Sequence, residues 1–504
     1  MRLSLALLVA SFVLVSCHDS SGSSTSLALG VNDLGAVDRV LAFEDGLLVA
    51  AVSEPNADRN GGGLKSFLGV FDLRSGNRVF LPNVATGYGA KTGAGFVTFL
   101  VDEASAGRDL DGDGDRIDLV VHVYDARRGP IRNLGLASYS LPVQRGALIA
   151  CAPHEQPGLD LNGDGDFDDF VAHVYEADRG RLTPLTTAAN GDALWIRGRR
   201  VLYLDDPKPT VQVYDADTGQ VRSIPHNTDA VWIEGSLLAT QIPEWENGNQ
   251  DLNGNGRTDD GFLELHDLDT GNMRVTDRND CWILDIGDDL AVVALEEDDA
   301  HEVRVYDRLT DTLSAPLGAG LRSGSSVSER LFAYVVNEYE AGADLDGDGK
   351  LWDDVLHVFD ARTGTARNIA RAAFSGPQID GSRVAFLGLG EPSLARPPIR
   401  TTVHVLDQRS GVVTDTGVMA SEFRFVNGIV VALTPEAWLE EDLDGDGELT
   451  HTILQVHDLA SGETRSTGLT VWYFEDDDDD APAMIDGDVA ALVVDGRLKA
   501  IRLR

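Results

Sequence analysis

The chain has 504 residues and a formal charge of −42, from 83 acidic side chains against 41 basic ones. That balance argues against nucleic acid or an anionic membrane surface as a partner and favours cations or basic surfaces. Hydrophobic content of 43% is that of a folded protein, because a disordered acidic tail lacks so much Val, Leu, Ile and aromatic residue.

Residues 1–16 read as an export signal: Arg2, an apolar run from Leu3 to Val15, then small residues ahead of Cys17. Such a run is too short to span a bilayer, which takes about 20 apolar residues. Leu14-Val15-Ser16-Cys17 resembles the lipobox of bacterial lipoproteins, which implies a lipid on Cys17 and attachment to the cell envelope, at the outer membrane or cell surface. The resemblance makes the lipid anchor the only expected contact with a membrane. Residues 17–26 are polar, Ser-rich and read as a flexible tether. The two remaining cysteines, Cys151 and Cys281, lie in apolar strand-like contexts and in non-adjacent repeats, and are expected to be buried free thiols.

From residue 27 to residue 504 the chain is a tandem array. Strands ending in an acidic anchor and a turn recur at Asp72, Asp125, Glu176, Asp215, Asp267, Asp307, Asp360, Asp407 and Asp458, 39 to 53 residues apart. Each is preceded by a turn that leads into an apolar strand, as in EDGLLVAAV and DGSRVAFLG. A tenth such strand, IDGDVAALVVD, precedes the closing RLKAIRLR. Several short alternating strands per unit at this period predict an all-β chain, a β-propeller of about ten four-stranded blades. A single ring and two five-bladed rings both satisfy the count, with one closed ring favoured. The last unit lacks an outer strand and Ser26–Gly30 lacks inner ones, so the two ends are expected to pair and remove a free sheet edge.

The repeat, clearest at Val213-Tyr214-Asp215-Ala216-Asp217-Thr218-Gly219, resembles the units of TolB-like and WD40-like propellers. It implies architecture and no activity. The Trp-Asp pair of WD40 repeats is absent.

Five inserts share one pattern. The first holds Asp109, Asp111, Asp113, Asp115 and Asp118; the second Asp160, Asn162, Asp164, Asp166 and Asp169; the third Asp251, Asn253, Asn255, Arg257 and Asp260. The fourth holds Asp344, Asp346, Asp348, Lys350 and Asp353, and the fifth Asp442, Asp444, Asp446 and Glu448, with His451 at its tenth position. Positions one, three and five are Asp or Asn and position six is Gly, the opening of an EF-hand calcium loop. Position seven carries Asp, Asp, Arg, Lys and Glu, an indifference that suits coordination through a backbone carbonyl. Position ten is then the closing carboxylate, and the fifth loop is expected to be the weakest site. Position two is always Leu, which no metal needs and which is expected to plug the loop onto its blade. The flanks read as strands, so the loops resemble those inserted between blade strands of the integrin α-subunit propeller. Up to about five Ca2+ ions would then act as staples, because the helix pair that opens in a calmodulin-like sensor is missing.

His122, His173, His357 and His404 stand three residues before an anchor and are expected to make hydrogen bonds within blades. Trp195, Trp232 and Trp282 recur on inner strands, where packing between blades is weighed against a ligand platform. The run Asp476 to Asp480 reads as a solvated connection. No GxSxG, HExxH, CxxC or phosphate loop is present. The expectation is a monomeric, calcium-stabilised, lipid-anchored scaffold that binds a protein or glycan and no nucleic acid. The alternative is a calcium-dependent propeller enzyme acting on polysaccharide or phosphate esters.

Overall fold

The computed structural model describes residues 31–503 except 38, 54–65, 82–83, 85–87, 157–158, 164, 166, 168, 206–209, 277–280, 298–299, 319–320, 322–324, 329, 375, 390–399, 472–482, 487–488 and 495–496. Cys17, the signal and tether segments, Asp164, Asp166 and the run Asp476 to Asp480 lie outside these residues.

The chain is all-β, with ten four-stranded antiparallel meanders, the blades of a β-propeller. Eight are separate sheets. Two share a seven-stranded sheet because one 17-residue strand, Arg181–Arg197, pairs through its first half with Phe170–Glu176 and through its last residues with Arg200–Asp205. Nine blades follow the chain, at 39–81, 91–137, 143–189, 194–227, 230–275, 282–313, 326–372, 378–419 and 422–470, and are numbered 1 to 9 here. The tenth joins Ala483–Asp486, Val489–Val494 and Arg497–Arg502 to the N-terminal strand Val31–Ala36. The expected pairing of the two ends is therefore present, with Val31 opposite Ile501 and Ala36 opposite Arg497. The described part of that strand starts at Val31, and residues 26–30 lie outside the described residues.

The blades form two compact units. One holds blades 1, 9 and 10, and the other holds blades 2 to 8. In each, the core lies between successive blades. Alternation explains why the strands are apolar on both faces. In Leu331–Asn337, the side chains of Leu331, Ala333 and Val335 pack with Val384 and Phe386 of blade 8. The intervening Phe332, Tyr334 and Val336 pack with Leu290 and Val292 of blade 6. In the smaller unit, Ile429 and Val431 of blade 9 meet Ala490 and Ile501 of blade 10. There, Leu48 and Ala50 of blade 1 meet Ala491 and Ala500.

Every anchor acid is the last residue of a third strand. At the aspartate anchors the carboxylate caps the following turn: Asp215 Oδ1 accepts the Asp217 and Thr218 amides at 3.0 and 2.9 Å, and Asp407 Oδ1 those of Arg409 and Ser410. Three anchors also hold a neighbouring blade. Asp307 takes both terminal nitrogens of Arg330, from the first turn of blade 7, at 2.5 and 2.6 Å. Glu176 accepts Arg199 of blade 4 at 2.5 Å, and Asp267 accepts Arg308 of blade 6 at 3.0 Å. Burial works to raise the Asp307 pKa, but Arg330 and Thr310 hold it below the ordinary value.

Breaking a buried, bidentate pair leaves a charge without a partner, at roughly 3 kcal/mol. Asp307→Ala is therefore expected to lower the melting temperature by several degrees in scanning calorimetry, and Arg330→Ala by a comparable amount. Asp115→Ala, on an exposed loop, should leave it within about a degree when calcium is chelated.

Candidate metal centre

All five acidic loops connect the second strand of a blade to the third, in blades 2, 3, 5, 7 and 9. From blade 3 to blade 9 the loops fall in every second blade, with blade 2 as an extra member. One difference is local: a single helical turn precedes three loops, at Glu103–Ala106, Glu338–Ala341 and Glu436–Leu439. The turns have four residues each, so the flanks remain strands in all other respects.

The loops share one backbone design. The position-one carboxylate accepts the amides of positions four and six: Asp109 those of Gly112 and Gly114 at 2.6 and 3.1 Å, Asp344 those of Gly347 and Gly349 at 2.7 and 2.9 Å. Both glycines have positive φ, 93° and 102° in the first loop, which is why a side chain is excluded there. The carboxylate or amide oxygens of positions three and five each accept the amide two residues on, as Asp346 does from Asp348 at 3.1 Å and Asp348 from Lys350 at 2.8 Å. Where the residue is an aspartate, its second oxygen takes no part in that bond.

A residue type that the spacing of aspartates concealed sits beneath every loop. Glu103, Glu155, Glu244, Glu338 and Glu436 are each at most 1% exposed. Their Oε1 atoms accept the position-two amides, of Leu110, Leu161, Leu252, Leu345 and Leu443, the last four at 2.6 Å. Their own amides donate to the position-ten carbonyl, at 2.8 to 3.0 Å in all five. The invariant leucines are half-buried, and Leu345 packs on the core between blades 6 and 7 as expected of a plug.

Carboxylates converge as a result. Oxygen atoms of Glu103, Asp111, Asp113 and Asp118 lie within 4.8 Å of one another, as do those of Glu338, Asp346 and Asp353. Asp344, Asp346 and Asp348 also form such a group, as do Asp442, Asp444 and Asp446. In the fifth loop His451 replaces the position-ten acid and joins Glu436 and Asp444, with Nδ1 2.8 Å from Asp444 Oδ2. Several of these oxygens are buried with no hydrogen-bond partner: Asp111 Oδ2, Asp118 Oδ2, Glu155 Oε2, Glu244 Oε2 and Asp260 Oδ1. A set of hard oxygens left over in this way fits Ca2+, which takes six to eight such ligands.

Among the described residues no position-seven side chain is a member of these groups. Asp115 accepts the Ile117 amide, Glu448 the Thr450 hydroxyl, Lys350 binds Asp348 at 2.5 Å, and Arg257 reaches Asp259 at 3.2 Å. In the second and third loops an Asn amide bridges to the closing acid: Asn162 to Asp169 at 2.9 Å and Asn255 to Asp260 at 2.7 Å. Electrostatics follow the crowding. Burial, then repulsion from Asp113, Glu103 and Asp118, pushes the Asp111 carboxyl up to about 6. Burial raises Asp118, Glu244 and Asp353 as well.

The remaining candidates take structural roles. His122, His173 and His357 place Nδ1 at 2.8 to 3.1 Å from the carbonyl two residues earlier, and His404 places Nε2 at 2.9 Å from the Thr402 hydroxyl. These are the hydrogen bonds within blades that were expected, made where a bulge shifts the register of the fourth strand. Trp195 and Trp232 pack between blades 4 and 5 and between blades 5 and 6. Cys151 and Cys281 are buried free thiols, and burial pushes the Cys151 thiol up to about 12. In blade 5 the position of the repeated histidines is taken by the buried Glu264, held between His226 at 2.7 Å and His266 at 3.1 Å.

No protein-family model matches the chain, and no curated protein sequence matches it. Among solved structures it is similar to the tricorn protease, at 14% identity over 93% of this chain and 47% of that one, with a TM-score of 0.30. It is similar to the β-propeller domain of the Trilobed protease from Pyrococcus furiosus, at 10% over 76% and 97%, with a TM-score of 0.30. It is similar also to TolB from Acinetobacter baumannii, at 13% over 63% and 79%, with a TM-score of 0.23. The chain spans about half the length of the tricorn protease. The blade architecture stands on the strand pairing of the chain itself.

A raised folded-state pKa means that Asp111 contributes stability at pH below its ordinary value of about 4 and loses it as pH rises through about 6. An asparagine there does not titrate. In chelator, the melting temperature of Asp111→Asn relative to the parent is therefore expected to climb between pH 4 and pH 7. A difference that is flat across this range would contradict the crowding.

Proposed function

We propose that the chain is a calcium-stabilised, lipid-anchored β-propeller of the bacterial cell envelope that acts as a binding scaffold. The observation that carries the calcium reading is the set of buried carboxylate oxygens without partners in the loops, at Asp111, Asp118, Glu155, Glu244 and Asp260. Acids brought together out of water repel one another, and a divalent cation converts that repulsion into attraction. Each loop joins two strands of one sheet, so an ion there stiffens a blade and has no helix pair to open. The lipid anchor rests on the sequence around Cys17 alone.

The scaffold reading draws on what surrounds the loops. Large apolar side chains project to solvent in or beside them: Ile117, Phe167, Trp245, Tyr339, Leu351, Trp352 and Leu449, with Tyr339 at 80% and Trp352 at 70% exposure. Exposed aromatics on a rigid support are the composition of recognition surfaces. Lys350 lies over the Trp352 ring, 5.7 Å from its centre, a cation–π pairing of the kind a basic ligand could also make.

Extracellular calcium modules have dissociation constants of roughly 0.1 to 1 mM, so 10 mM Ca2+ would stabilise the fold by about 1.4 to 2.7 kcal/mol per site. Thermal unfolding in calcium and in chelator is expected to differ by many degrees, and Asp346→Ala should remove part of that shift. An unchanged melting temperature would sink the reading. For the scaffold role, the calcium-loaded protein is expected to retain a glycan or a peptide on an array, and Trp352→Ala to weaken that retention.

A further inference from the structure

We infer that the buried glutamate ahead of each acidic loop, Glu103, Glu155, Glu244, Glu338 and Glu436, is itself a metal ligand that ties the end of the second strand to the loop. The inference rests on the proposal that the loops bind calcium and adds to it a donor outside the loop pattern.

Burial is the first ground. Each of the five carboxylates is at most 1% exposed, and taking an ion of this kind out of water costs several kcal/mol unless positive charge or strong donors meet it. A seat for the loop would need a single acceptor for the leucine amide, which a neutral Gln or Ser could supply. The chain places a carboxylate there five times.

The second ground is what the other oxygen does. Oε1 is satisfied by the leucine amide in every case. Oε2 of Glu155 and Oε2 of Glu244 have no partner. Oε2 of Glu103, Glu338 and Glu436 meets only the position-ten amide, at 3.4, 3.3 and 3.1 Å. These are long for a bond to a carboxylate. An oxygen so placed has capacity left for a cation.

The third ground is what faces that oxygen. Around Glu103 stand Asp111, Asp113 and Asp118; around Glu338, Asp346 and Asp353; around Glu436, Asp444 and His451. Ionised carboxylates accept hydrogen bonds and donate none. They cannot bond to one another without a proton or a metal between them. An EF-hand closes its shell with a Glu at position twelve. Here positions eleven and twelve already begin the third strand, and the shell is closed from the opposite strand instead. The ion then bridges two strands of the hairpin, which a loop closed on itself would not do.

Glu→Gln separates a seat from a ligand, because the amide oxygen still accepts the leucine N–H while the charge is lost. Calcium titration calorimetry on the full chain is expected to give about five sites. Glu103→Gln and Glu338→Gln should each lose one site or weaken it at least tenfold, whereas the exposed Glu340→Gln should lose none. In chelator the two variants should melt no lower than the parent, and in calcium they should melt lower. Unchanged stoichiometry and affinity, or an equal drop with and without calcium, would overturn the inference and leave the loop reading standing. A parent that neither binds calcium nor shifts its melting temperature would overturn both. Should the variants fail to fold, the calcium-loaded parent decides: its crystal structure is expected to place Oε2 of these glutamates about 2.3 to 2.6 Å from an ion. An Oε2 outside the coordination shell counts against the inference.

Discussion

A carboxylate held away from water must be met by positive charge, by amide donors or by a proton, and this requirement organises the whole chain. With 83 acids and 41 bases the basic residues cannot serve everywhere. They are concentrated at the anchors, where Arg199, Arg308 and Arg330 reach Glu176, Asp267 and Asp307 of a neighbouring blade. Arginine suits that place because its planar fork meets a carboxylate with two parallel bonds. Five of the connections between second and third strands gather more carboxylates than their few basic residues can meet. The two kinds of acidic site lie at opposite ends of the third strand, which begins at a loop and finishes at an anchor.

Both kinds were legible in the sequence, for different reasons. The anchors repeat with a turn behind them, and each proved to be the last residue of a third strand, where an Asp can cap the following turn. The loops were legible because aspartates at alternate positions and glycines with positive φ serve one backbone path. The tandem period gave the blade count, although Arg181–Arg197 merges two blades into one sheet in a way that no turn signal announces. The pairing of the chain ends was legible as two incomplete units, while its register was not.

The buried glutamates escaped for a reason visible in their spacing. Measured from the first loop aspartate they stand six, five, seven, six and six residues upstream, so alignment on the aspartates scatters them. Measured from the second strand, four of the five follow directly on its last residue. Strand ends had to be known before the repeat could be seen. The histidines before the anchors show the complementary case: their recurrence was plain in the sequence, but the bulge that gives each a carbonyl or hydroxyl to face is a property of strand pairing alone.

The strand Val31–Ala36 has a mechanical consequence. It is the outer strand of a blade whose other three strands come from the far end of the chain, and it is reached directly from the N-terminal segment. Tension applied through that segment falls first on the hydrogen bonds to Arg497–Arg502. A load there tests that one pairing before it reaches any continuous meander. Detachment of that strand would expose the edge of Arg497–Arg502 while the other nine blades keep their own strands, so the seam acts as a fuse.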